Sequence, residues 1–228
     1  MELREIENIE LKYMDKLYHF LKFSLDDILE GFDSREKIRD DWFEHYSSGD
    51  KKVSDFSTGA ERVIYALLTR RIIGDPNSSP VGSDLMFETE DAYIHIDLKT
   101  VKQDTNAGDY AGKTAVGRNQ NSYRGNMMLK NGVTREYIPS LPCFYNQGTE
   151  DEKICLSYFI SILFNDADRK TKNIKLMCMP NGKLYSEYGH RILQAGKTVD
   201  PPEARFKYSE CEEFKLVEGL RVRDIYSK

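Results

Sequence analysis

Three side chains near the middle of the sequence, Asp84, Asp97 and Lys99, have the types and spacing of a hydrolytic site built on a pair of strands. Two carboxylates at close range repel each other unless something positive sits between them. A divalent cation is the simplest occupant, and hard oxygen donors suit magnesium. A lysine beside such a pair orients a water or, as the neutral amine, deprotonates it, and as the ammonium it offsets charge on an anionic substrate.

The local pattern supplies the strands. The stretch Ser83–Thr100 reads as Ser83–Glu88 and Ala92–Thr100 joined by a tight acidic turn. In the second strand Ile94, Ile96 and Leu98 alternate with Tyr93, His95, Asp97 and Lys99, so the aliphatics bury one face and Asp97 and Lys99 share the other. Leu85 and Phe87 turn inward on the first strand, leaving Asp84, Met86 and Glu88 opposite. Cross-strand partners share a face, so even-numbered residues of the first strand pair with odd-numbered residues of the second. A two-residue turn at Glu90-Asp91 satisfies this parity and sets Asp84 opposite Asp97. Acid–x–lysine tripeptides also occur at Asp50, Asp151, Asp168 and Glu213. Most of those lie in polar, loop-like surroundings or lack an upstream strand bearing an acid. A charged strand pair facing solvent is the plainer reading of the hairpin. His95 shares the Asp97 face, although a strand histidine is more often a packed or hydrogen-bonded residue than a participant in chemistry.

Asp84 followed by Asp97-Leu98-Lys99 resembles the catalytic motif of the PD-(D/E)XK nuclease superfamily, in which an acid opens one strand and an acid–x–lysine lies on the next. The leading proline is displaced, with Pro80 four residues ahead of Asp84 and Ser83 in its usual place. Asn119-Gln120-Asn121-Ser122-Tyr123, then Arg124, is similar to a segment of Type II restriction endonucleases that follows the catalytic lysine. Pro201–Tyr208 is more loosely similar to a stretch near the C-terminus of such enzymes. The resemblance implies Mg2+ held by Asp84, Asp97 and the carbonyl of Leu98, with Lys99 serving the attacking water. It also implies a homodimer that cuts both strands of a palindromic double-stranded DNA site to leave 5′-phosphate ends. Expected DNA contacts are Arg118, Asn119, Gln120, Asn121, Ser122, Tyr123 and Arg124, with Arg205 and Lys207 further on. An edge strand of alternating charge explains Arg205 and Lys207 equally well, and a polar surface loop without function has the same composition as 118–124. A repair or junction-resolving nuclease, or a DNA-binding module with a dead site, would keep parts of the same pattern.

The elements that must position this site follow from periodicity. Ile9, Tyr13, Leu17, Phe20 and Leu21 recur at helical spacing, a second set spans Leu25–Phe32, and Asp33-Ser34 caps a third segment reaching Trp42 and Tyr46. Residues 1–56 carry 15 acids and 9 bases, a charge of −6. Such a layer avoids phosphates, and so either covers the sheet away from the cleft or forms a subunit contact. Ser57-Thr58 begins a helix to about Ile73, with Glu61 placed as in a capping box. Glu61 also lies on the stripe of Ile64/Tyr65, Leu68 and Ile72, where it would be an inward acid supporting metal or water; both roles stay open. A Pro/Gly/Ser loop over 74–83 then delivers the chain to Asp84. Leu141–Asn146 and Ile154–Phe164 read as buried strands, and Asn173–Met179 with Lys183–Tyr188 as a hairpin around Pro180-Asn181-Gly182.

Composition bounds the rest. With 228 residues, 39% hydrophobic and 31% charged, the chain can bury a substantial core. The net charge of −5 conceals a local excess of +4 over residues 99–148, which begins at the proposed site. The expectation is an α/β fold, a mixed central β-sheet flanked by helices with a helical N-terminal part. It forms a single domain over 1–228, with a helical region at 1–56, a catalytic core at 57–125, and sheet completion and recognition at 126–228. No apolar run is long enough for a membrane span. Four widely spaced cysteines without a C-x-x-C suggest a reduced, intracellular protein, and the resemblance implies a prokaryotic cytoplasm.

Overall fold

The computed structural model describes residues 1–33, 55–71, 82–129, 132–165, 168, 170–196 and 204–228. The expected third helical segment, the 74–81 loop with Pro80, and Pro201–Glu203 lie outside the described residues.

Helices α1 (Leu3–Phe23), α2 (Leu25–Asp33) and α3 (Asp55–Arg71) precede the hairpin of β1 (Leu85–Glu88) and β2 (Ala92–Lys102). Helix α4 (Gln103–Tyr110), strands β3 (Thr114–Val116), β4 (Gly125–Met128), β5 (Thr134–Tyr137) and β6 (Phe144–Tyr145) lead to the long β7 (Lys153–Phe164) and β8 (Thr171–Met179). A short helix α5 (Tyr185–Tyr188), then β9 (Leu193–Ala195), β10 (Ala204–Phe206) and β11 (Val222–Ser227), complete the described chain. The central sheet runs β1-β2-β7-β8-β11, with β6 also on β7. It is mixed, because β2 and β7 are parallel while β1, β8 and β11 join antiparallel. Smaller sheets are β3-β10-β9 and β4-β5.

The apolar run of β7, KICLSYFISILF, explains why it lies centrally, since it is covered on both faces. Helix α1 lays Ile6, Tyr13, Met14, Leu17 and Leu21 against the sheet, and Tyr158 on β7 donates to the carbonyl of Glu10 at 2.7 Å. The acidic N-terminal layer is therefore a cover for the sheet as far as α1 is concerned.

Beneath α1 lies a buried charge cluster. Arg221 Nη2 donates to Glu7 Oε1 at 3.1 Å and to Glu10 Oε2 at 2.6 Å, and Arg221 Nε donates to the Tyr188 hydroxyl at 2.7 Å. Glu7 also accepts from the backbone amide of Leu216 at 2.6 Å, and Glu10 from that of Asn181 at 2.7 Å. Burial pushes Glu7 upward, but Tyr188, the Leu216 amide and Arg221 outweigh it and leave its pKa lowered. At Glu10 burial outweighs Arg221, and the pKa is raised. Burial also opposes the Arg221 charge, yet Glu10 and its other neighbours hold the guanidinium firmly protonated.

Four expectations need correction. Helix α3 starts at Asp55, so Ser57 and Thr58 lie inside it and Thr58 is no N-cap; the capping-box role of Glu61 falls. The strand expected over Leu141–Asn146 shrinks to Phe144–Tyr145. Lys183–Tyr188 is not a strand but a 3-10 turn followed by α5. The Asn181 side chain accepts from the Lys183 amide at 2.9 Å and donates to the carbonyls of Cys143 and Cys155, so it caps a helical turn where a hairpin bend was expected. Strand β10 lies between β3 and β9 and is not an edge. All four cysteines are free.

Candidate active site

The hairpin has the expected parity and turn. Leu85 pairs with Ile96, Met86 with His95, Phe87 with Ile94 and Glu88 with Tyr93. The Thr89 amide donates to the Ala92 carbonyl at 2.8 Å, closing the loop around Glu90-Asp91. At the turn, Asp91 takes Lys12 Nζ at 2.6 Å and the Tyr13 hydroxyl, so α1 anchors the end of the hairpin away from the acids.

Asp84 stands one residue ahead of β1, where the register carried one step further meets Asp97. Its Oδ2 accepts from the backbone amide of Leu98 at 2.6 Å, which leaves Oδ1 for another partner. Lys99 Nζ lies 2.5 Å from Asp97 Oδ1 and donates to Gln120 Oε1 at 3.2 Å. Asp97 is only 3% exposed, so its face is covered and does not open freely to solvent. Burial pushes its pKa up to about 6; Lys99 opposes this, while the charges of Asp84 and Glu61 add to it. The charges of Asp84, Glu61 and Lys99 are thus all felt at Asp97. Glu61 and Asp84 line a cleft of about 260 Å³ together with Arg62, Tyr65, Leu85 and Leu98, the residue between Asp97 and Lys99.

Among the described residues no three His, Cys, Asp or Glu side chains are grouped closely enough to hold a metal unaided. Magnesium does not require that, because it keeps several waters and commonly binds through one or two carboxylates. The donor set fits such an ion: hard oxygens on Asp84 and Asp97, the carbonyl of Leu98, and a carboxylate at Asp97 that burial already pushes toward protonation.

His95 shares the face of Asp97 but is built into the fold. Ser83 Oγ lies 3.1 Å from Nδ1 and the Tyr145 hydroxyl 3.0 Å from Nε2. Burial lowers its pKa to about 4, so the ring is neutral near pH 7.

The expected DNA-contact segment divides. Arg118, Asn119 and Arg124 are exposed and Gln120 partly so. Asn121, Ser122 and Tyr123 are buried, and their polar atoms are used internally. Asn121 Nδ2 donates to the Gly117 carbonyl at 3.0 Å and to the Tyr137 hydroxyl at 2.8 Å. Ser122 Oγ accepts from the Gly182 amide at 3.2 Å, and the Tyr123 hydroxyl donates to the Gly189 carbonyl at 2.8 Å. The polar side-chain atoms of these three face partners inside the protein. Arg205 and Lys207 are half-buried on and just after β10, and Lys207 pairs with Glu210 at 2.7 Å. Arg62 and Tyr65 are cleft residues that sequence reading missed. Tyr65, four residues on from Glu61 and on its side of α3, was within reach of the helical spacing, whereas Arg62, one residue on and about 100° round the helix, was not.

Residues 2–169 match the sequence model of the N-terminal domain of the Type II restriction enzyme MwoI, and residues 171–227 match that of its central domain. The boundary falls between β7 and β8, neighbouring strands of one sheet. No curated protein sequence matches the chain. Its fold is similar to the restriction endonuclease BglI bound to its DNA recognition sequence, with a TM-score of 0.74 at 15% identity, over 98% of this chain and 91% of that one. It is also similar to the tetrameric restriction endonuclease SfiI bound to cognate DNA, with a TM-score of 0.69 at 12% identity, over 93% of this chain and 82% of that one. A central mixed sheet with its acids and lysine at a cleft, carried on sequence that matches the family across nearly its whole length, leads to one conclusion: the chain belongs to the MwoI family of Type II restriction enzymes.

Proposed function

We propose that this endonuclease hydrolyses both strands of a palindromic duplex DNA site as a Mg2+-dependent homodimer, leaving 5′-phosphate ends. The observation that carries the reading is the meeting of Asp84, Asp97 and Lys99 beside a cleft walled by Glu61 and Arg62. Asp84, Asp97 and the Leu98 carbonyl would hold the ion. When bound, magnesium polarises a phosphoryl oxygen and makes its own water more acidic. The chain's residues do the remainder. Lys99, held against Asp97, presents an ammonium to the attacking water or the phosphate oxygen. Glu61 supplies a further acceptor for water on the cleft wall. Arg62 offers a guanidinium to the backbone of the strand being cut. Arg118, Asn119 and Arg124, with Arg205 and Lys207, form the candidate duplex-facing set. Two-fold pairing of chains matches the symmetry of a palindrome and gives each strand its own active site.

A digest of mixed plasmid DNA with purified protein and magnesium tests this directly. Discrete fragments whose ends religate without added phosphate support it; structure-selective nicking supports the repair alternative, and retained binding without cleavage a dead site. Lys99→Ala is expected to lower the cleavage rate on the order of 10²–10⁴-fold with duplex affinity kept; normal cutting by that variant would remove the site assignment. Chain length and overall sequence character add a finer reading, kinship with SwaI, a blunt cutter of a long A·T-only site. Staggered ends, or G·C pairs within the mapped site, exclude it.

A further inference from the structure

We propose that Gln120 is a positioning residue for Lys99 and not a reader of bases; this rests on the catalytic role given to Lys99 above. Its side-chain amide is engaged at both ends. Oε1 accepts from Lys99 Nζ at 3.2 Å and from the Gly117 amide at 2.7 Å, while Nε2 faces the Gly82 carbonyl at 3.5 Å. All three contacts agree on one orientation of the amide. Reading adenine takes both ends of a glutamine amide, and here the oxygen is already taken twice, by Lys99 and the Gly117 amide.

Lysine carries three N–H donors on a flexible stem. Asp97 takes one and Gln120 a second, which fixes the stem and leaves one for a water or phosphate oxygen. Gln120 is itself held firmly, because Asn121, Ser122 and Tyr123 bind it into the protein through Tyr137, Gly182 and Gly189. The same turn lies flush on the chain that delivers Asp84: a Cβ placed on Gly82 would sit 1.6 Å from Asn119 Nδ2. The segment expected to face the duplex is thus a mount joining the lysine to the acid strand. Asn119 and Arg118 at its tip are exposed and lie one and two residues from Gln120.

The test compares Gln120→Met, which keeps the volume and loses the acceptor, with Gln120→Glu, which keeps an acceptor. Single-turnover cleavage with magnesium, duplex affinity without divalent ion, the set of sites cut and the thermal midpoint are measured on the full chain. Gln120→Met is expected to lose roughly 10²-fold in rate, with affinity, cut sites and midpoint unchanged, and Gln120→Glu to recover most of that loss. A fall in affinity or a change of cut sites would reassign Gln120 to base reading. An unchanged rate, or equal losses in two folded variants, would end the proposal. If the parent protein and Lys99→Ala behave as set out above while Gln120→Met cuts normally, only this inference fails; if the parent does not cut, the catalytic reading fails first.

Discussion

Asp97 and His95 lie two residues apart on one strand face and respond to pH in opposite senses. The pKa of Asp97 is raised to about 6 by burial, so its contribution to stability is full below its ordinary pKa and is lost as pH rises through 6. That of His95 is lowered to about 4, so its contribution is present above its ordinary value near 6.5 and is lost as pH falls through 4. The two nearly offset each other in the intact protein, and a substitution exposes them. Without divalent ions, Asp97→Asn is expected to gain stability relative to the parent as pH rises from about 4 to about 6, by on the order of 2–3 kcal/mol. Urea midpoints taken across that range would show no such divergence if Asp97 titrated normally. Divalent affinity should decline below pH 6, because the ion competes with the proton on Asp97. At Arg62, alanine is expected to weaken duplex binding alike for all sequences and to flatten its salt dependence by about one charge. A salt slope equal to the parent's would take Arg62 off the DNA.

At the scale of elements, the hairpin was readable because period-two alternation and a two-residue turn together permit only one register. Asp84, Asp97 and Lys99 came with it. Contacts across chain crossings were not readable in this way. Gln120 meets Lys99 because the turn after β3 returns to β2, and no local spacing encodes that return. Asn121, Ser122 and Tyr123 looked like surface because they are polar, yet each has an internal partner that removes the cost of burial. Asn181 looked like a hairpin turn and is instead a cap, a choice settled by the carbonyls of Cys143 and Cys155. Arg221 was the least visible, because a charged residue reads as exposed until both its carboxylates are found on α1. That cluster carries its own prediction. Arg221→Ala leaves Glu7 and Glu10 buried without their cation and is expected to cost roughly 3–5 kcal/mol. Equilibrium urea unfolding checks it, and a loss below 1 kcal/mol would show that the cluster relaxes into solvent. Gly182 has a comparable role at the other end of the mount, since a Cβ there would lie 2.2 Å from the Ser122 carbonyl oxygen. Gly182→Ala is expected to lower both the thermal midpoint and the cleavage rate.

The acidic pair α1 and α2 precede the catalytic hairpin in the chain, and the stretch of positive excess, 99–148, begins on β2 at Lys99. A chain with a formal charge of −5 can approach DNA by that arrangement. The homodimer proposed above should sediment at twice the chain's 26.4 kDa, and a species of single mass that still cuts both strands together would overturn it. The crossing between β2 and β7 has a further consequence for how the protein is made. A ribosome releases Asp84, Asp97 and Lys99 well before the strand that flanks them on the inner side, and Arg221 comes later still. Until then the nascent polypeptide has a hairpin with one neighbour and a first helix whose two glutamates lack their counter-ion. Cutting activity should therefore be absent from every shortened translation product ending ahead of Arg221, so a cell making this enzyme meets no half-built nuclease during synthesis.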